Sequence, residues 1–79
     1  MLTIDQIYEY WPKIGELTAH IVGASADELA ALFRVQQVSY DGQAFAVQRL
    51  VVIEKSFLST QDKNSLVNWK VEVTAQRIS

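Results

Sequence analysis

Val38-Ser39-Tyr40-Asp41-Gly42-Gln43-Ala44-Phe45-Ala46-Val47 decides how this chain is to be read. Val38 and Tyr40 alternate with polar neighbours, and Asp41-Gly42 is the strongest short hairpin signal a sequence can carry, because type I′ turns need positive φ at both central residues. Phe45, Val47, Val51 and Ile53 continue the apolar set on the far side of that turn. Further on, Val67, Trp69, Val71, Val73 and Ala75 alternate with Asn68, Lys70, Glu72, Thr74 and Gln76, the pattern of a half-buried strand. Ser59 to Ser65 is polar and turn-rich. A three-stranded antiparallel β-meander over residues 35–78 is therefore expected. Gln43 to Leu58 admits a second reading as a helix, capped by Asp41 with Ala46, Leu50, Ile53 and Phe57 on one face; β-branched Val51-Val52-Ile53 favours the strand.

Upstream of Arg34 the spacing reads as helical. Thr3-Ile4-Asp5-Gln6 resembles a capping box, followed by Ile4, Ile7, Tyr8 and Trp11 on one stripe. Pro12 ends that helix and suits the first position of another, whose stripe Ile14, Leu17, Ile21 runs to Val22 before Gly23. Ser25-Ala26-Asp27-Glu28 is a second capping box, opening a helix with Leu29, Leu32 and Phe33 inward. The expected fold is thus α+β: a helical layer at residues 3–34, made of three short N-terminal helices, packed on the three-stranded meander in a single domain over residues 1–79.

The totals bound what such a domain can be. Its 79 residues can bury only about 60% of the surface that the unfolded chain exposes. With 49% hydrophobic and 20% charged residues it has the composition of an ordered chain. It contains no cysteine, which excludes disulfides, thiolate nucleophiles and zinc-thiolate clusters. Apolar runs such as Leu50 to Ile53 are too short for a membrane span, and no signal peptide is read at the start, so a cytoplasmic protein with no membrane partner is expected. The net charge of -2 divides unevenly. Asp5, Glu9, Glu16, Asp27 and Glu28 face a lone Lys13 in the first 33 residues, whereas the remainder is mildly basic.

Catalytic patterns are absent. His20 follows Glu16 by four residues, a spacing that on a helix puts two potential metal ligands on one face, but two ligands do not make a zinc site, and a surface pair is the plainer reading. Asp27 and Glu28 diverge on a helix and suit its positive end. The serines stand in no nucleophile-elbow context, and the three glycines form no phosphate loop. A non-enzyme without cofactor or metal is expected.

Residues 14–34, with Ala19 as the small residue on a first helix, Gly23 at the turn, and Val22, Ala24, Leu29 and Leu32 as the apolar set, resemble the helix-turn-helix unit of bacterial regulators. The Asp41-Gly42 hairpin then resembles the wing of a winged-helix domain. The resemblance implies DNA reading by the second helix of the unit, whose exposed face would carry Ala26, Asp27, Ala30, Ala31 and Arg34. That face is acidic and largely methyl, the opposite of what phosphates attract, so nucleic acid is an unfavoured partner. If it is bound at all, Arg49, Lys55, Lys63, Lys70 and Arg77 would do it.

The leading functional expectation comes from the middle strand. Its two faces, Phe45, Val47, Val51, Ile53 and Ala44, Ala46, Leu50, Val52, are both apolar, yet helices can cover only one face of a two-layer domain. A small protein-interaction module is expected, meeting a protein partner or a second copy of itself through Tyr10, Phe45, Val47, Val51, Val52 and Trp69. Tyr10 joins the set because Tyr8, Tyr10 and Trp11 cannot all face inward from one helix.

Overall fold

A computed structural model describes residues 2–57 and 66–78. Within these residues six strands, β1 (Leu2–Thr3), β2 (Glu9–Trp11), β3 (Glu16–Gly23), β4 (Gln37–Tyr40), β5 (Gln43–Phe57) and β6 (Leu66–Arg77), form one mixed sheet with a single helix, α1 (Ala26–Leu32), between β3 and β4. The order across the sheet is β1-β4-β5-β6-β3-β2. β1 runs parallel to β4, and every other neighbouring pair is antiparallel. The seven-residue α1 is far too short to cross a membrane, and no described helix is long and apolar enough to do so.

The meander expectation survives inside this larger sheet. Asp41 and Gly42, at φ 51° and 75°, form the two-residue turn between β4 and β5, with Tyr40 opposite Gln43. Gln43–Phe57 is strand, not helix. The turn expected over Ser59 to Ser65 lies outside the described residues.

The expectation of three helices on a three-stranded sheet is overturned, because two of the three segments are extended. Residues 16–23 form β3, where Leu17 and Ala19 are fully buried and Thr18, His20 and Val22 point to the other face. Leu17 and Ile21 are four residues apart, a spacing that fits one turn of helix and two repeats of strand equally well. Thr18, Ile21 and Val22, all β-branched, carried the signal for strand. The segment from Thr3 to Trp11 is split between the two edges of the sheet, and Pro12 sits in the turn joining β2 to β3. Of the helix pair behind the helix-turn-helix resemblance, only the second member forms.

That member is built as its sequence indicates. Ser25 Oγ accepts from Glu28 N–H at 3.1 Å, and the Glu28 carboxylate accepts from Ala24 N–H at 3.3 Å. Leu32 is buried, and with half-buried Leu29 it packs on Trp69, Val71 and Val73 of β6. Gly23 has no positive φ; it is required because a Cβ there would stand 2.6 Å from Trp69 Cε2 and Cη2 and closer still to Cζ2. The indole N–H of Trp69 donates to Ser25 C=O at 2.7 Å, tying the helix start to the sheet.

The sheet is rolled. Ile4 N–H still bonds Ser39 C=O beside β1, and Tyr8 N–H already bonds Thr18 C=O beside β2, so four residue steps, about 14 Å at full stretch, join opposite edges of a six-stranded sheet. Side chains from the two edges meet inside: the Tyr10 ring stands 5.9 Å from Tyr40 and 6.0 Å from Phe45. Ile4, Leu17, Ala19, Val38, Phe45 and Ala75 fill that end of the interior. Burying side chains of this size contributes about 1.5–3 kcal/mol each for the larger ones.

Of the three register shifts between β5 and β6, the two that insert a residue in β5 correct the two-faced reading of the middle strand. Val47 opposes Ala75 and Leu50 opposes Val73, with one extra residue between them, Gln48; a second shift falls at Ile53. The extra residue inverts the alternation. Phe45, Val47, Leu50 and Val52 therefore share the covered face, and Ala44, Ala46, Arg49 and Val51 share the open one. On that open face Ala46, Arg49 and Val51 of β5 lie opposite Gln76, Thr74 and Glu72 of β6, so it is mixed and not a second apolar face.

Candidate functional site

β2 covers only Glu16, Leu17 and Thr18 of β3, so Ala19 to Gly23 form an uncovered strand edge. Peptide groups alternate in direction along an antiparallel strand. Thr18 C=O points away from β6, since it accepts from Tyr8 N–H at 2.8 Å. His20 and Val22 therefore aim their N–H and C=O groups the same way, and no backbone group among the described residues meets them. Val22 is 72% exposed.

Across from this edge lies the N-terminal segment. Ile4 N–H points to β4, so by the same alternation Thr3 directs its peptide groups away from β4. A cavity of about 290 Å³ separates the two borders, lined by Leu2 to Gln6 on one side and His20 and Ile21 on the other. A second cleft of about 230 Å³ opens towards α1, between Leu2, Ile21, Ala31, Leu32, Val35 and Trp69, with Glu28 on its rim. The two clefts share Leu2 and Ile21, and together they make one seam in the rolled sheet. Apolar side chains form its floor, strand edges border it, and Asp5 and Glu28 are its acidic groups.

The other long edge is built differently. β5 pairs with β4 only from Gln43 to Ala46, and beyond that it carries Arg49, Glu54 and Lys55 and is bent by register shifts in its ladder with β6. Bulges and charges are how proteins block unwanted strand pairing. Ala19 to Gly23 carry neither a bulge nor a Lys, Arg, Asp, Glu or Pro.

The residues expected at an interface mostly belong to the interior. Phe45 and Trp69 are buried; Val47 and Val52 pack against the core; Tyr10 faces inward onto Tyr40 and Phe45. Of the three rings near the start, Tyr8 and Trp11 are the exposed ones, at 69% and 54%: Trp11 alternates with Tyr10 along β2, and Tyr8 lies just ahead of β2 and stacks on His20. Val51 alone of the expected set lies on the open face, opposite Glu72. Trp69 does reach the seam, as part of the wall of its smaller cleft.

The basic residues do not gather. Arg49 and Lys70 stand on the open face in register with Thr74 and Glu54, Lys55 is opposite Trp69, Arg77 donates to Pro12 C=O at 3.4 Å, and Lys63 lies outside the described residues. His20 and Glu16 share a strand face about 13 Å apart, too far to hold one ion. His20 instead stacks on Tyr8, ring centroids 4.7 Å apart, and its Nε2 lies 3.4 Å from Glu72 Oε1. Among the described residues no three His, Asp or Glu side chains converge as metal ligands would.

No family model, curated protein or solved structure matches the chain.

Proposed function

We propose that this chain is a non-catalytic protein-binding module that takes up an extended segment of a partner as an added strand along β3. The observation that carries the reading is the uncovered edge at His20 and Val22, bordering a seam with an apolar floor. Strand addition draws its affinity from main-chain hydrogen bonds and its specificity from pockets for alternate side chains. His20 and Val22 offer two donors and two acceptors, and the clefts beside Leu2, Ile21, Leu32 and Trp69 offer the pockets. Sequence reading pointed to a protein-binding module acting through a sheet face; the geometry favours a sheet edge.

A library of displayed linear peptides selected on the wild-type chain tests the proposal. Val22→Pro removes one outward N–H and leaves the β3–β6 ladder intact, since proline is tolerated where an edge N–H faces out. Selected peptides should lose binding to this variant while its circular dichroism stays unchanged. In the wild type, peptide should slow amide exchange at His20 and Val22. Undiminished binding to Val22→Pro, with chemical-shift changes confined to the open face around Val51, Arg49 and Lys70, refutes strand addition.

A further inference from the structure

Resting on that reading, we infer that the segment entering the seam is basic as well as apolar: two inward apolar side chains, spaced i and i+2, flanked by Lys or Arg. The free stretch of β3, Ala19 to Gly23, is about 16 Å long and so accommodates about five residues of added strand. Side chains of such a strand alternate between the interior and the outside. One inward position falls over Leu2 and Ile21, and the next, two residues on, falls over Leu32 and Trp69, where the smaller cleft opens. Both walls there are hydrocarbon or indole, so Val, Ile, Leu or Ala suits them and a charged side chain does not.

Charge then separates one extended segment from another. The ionisable groups lining the two clefts are Asp5, His20 and Glu28, with no Lys or Arg among them. Asp5 and Glu28 are exposed and belong to different clefts, so a strand laid along β3 passes a carboxylate in each. On the outer face Glu72 opposite His20 and Lys70 opposite Val22 offset one another, so the charge a strand meets in the seam is that of Asp5 and Glu28. A cationic residue outside the apolar pair gains attraction from these groups, and an acidic one is repelled.

Three nine-residue probes that differ only at the flanking positions test this: one with lysine at both ends of a Val-Thr-Val centre, one with glutamine, one with glutamate. Affinity is read by NMR titration at 50 mM NaCl, where screening is weak. The lysine peptide should bind about fivefold more tightly than the glutamine peptide, as two exposed ion pairs allow, and the glutamate peptide least. The lysine advantage should vanish in the Asp5→Asn, Glu28→Gln double variant and shrink in 500 mM NaCl, with glutamine-peptide affinity unchanged in both. Equal affinity for all three peptides, abolished by Val22→Pro, overturns the charge assignment and leaves strand addition standing. No binding by any of them overturns both. A concentration-dependent dimer that becomes monomeric in Val22→Pro puts a second copy in the seam and equally overturns the inference.

Discussion

Replacing Gly23 by Ala tests the joint on which the helix side of the seam depends. The added methyl would lie 2.6 Å from Trp69 Cε2 and Cη2, whereas carbon atoms rest at about 3.5–4.0 Å, so the indole must retreat by about 1 Å or more. Trp69 is 4% exposed and shares one buried cluster with Leu32, Val71 and Val73, which leaves it little room to move without displacing α1. Overpacking of this kind costs about 1–3 kcal/mol. The shift also breaks the 2.7 Å bond from the indole N–H to Ser25 C=O, for a further loss of about 1 kcal/mol. The sum, about 2–4 kcal/mol, is a large share of the roughly 4–12 kcal/mol expected for a chain of this length. It corresponds to a melting temperature lower by roughly 10–30 °C. Urea unfolding followed by tryptophan fluorescence reads both effects, because Trp69 moves towards solvent as the transition shifts. Stability within about 0.5 kcal/mol of wild type, with unchanged emission, would refute the packing argument.

Val52→Lys should lower stability by about 2–3 kcal/mol, and Val51→Lys should stay within about 0.5 kcal/mol, because the first faces Val71 in the core and the second the open face; chemical denaturation separates them, and equal losses would contradict the register. Ser25→Ala should cost about 1 kcal/mol in the same assay through loss of the bond to Glu28 N–H. Gly42→Ala should cost about 1 kcal/mol from conformation alone, since its φ is +75° and nothing lies within 4 Å of an added Cβ. Deleting Gln48 should leave thermal unfolding cooperative, with the melting temperature within about 5 °C of wild type, because Arg49 then follows Val47 opposite Thr74 and Phe45, Val47, Leu50 and Val52 stay on one face in plain alternation; loss of cooperative unfolding would contradict the bulge at Gln48. Gln48→Ala should be close to neutral.

What was legible in the sequence was local and chemically explicit. Asp41-Gly42 named its turn because only residues that accept positive φ can fill it. Ser25 and Glu28 named the start of α1 through reciprocal hydrogen bonds within one turn of chain. The alternation from Trp69 to Ala75 named β6. Failure began where two periods share a spacing, as with Leu17 and Ile21, and where one inserted residue resets a period, as with Gln48. The pairing of β1 with β4 and of β3 with β6 joins residues tens of positions apart, and no short window contains that information. The seam was illegible for the same reason, since Leu2, Ile21, Leu32 and Trp69 meet only once the sheet has rolled.

The bulge at Gln48 also moves the argument for binding from side chains to backbone. A strand apolar on both faces calls for an unseen cover, and inverting the phase at one residue satisfies that call inside the molecule: Leu50 and Val52 join Phe45 and Val47 under the same layer. The unmet capacity lies in the peptide groups of His20 and Val22. Every residue except proline carries such groups, so a strand edge has no composition of its own, and any side-chain sequence that keeps β3 extended would present the same donors and acceptors. Evidence for use of the edge must therefore come from contrast within one sheet. β5 is bent by register shifts in its ladder with β6 and carries Arg49, Glu54 and Lys55, whereas β3 leaves five residues in unbroken register, free of Lys, Arg, Asp and Glu, and next to an apolar floor. A chain that blocks one edge and leaves the other open is selective about where a strand can be added, and the open edge is the one that borders a cleft with room for side chains.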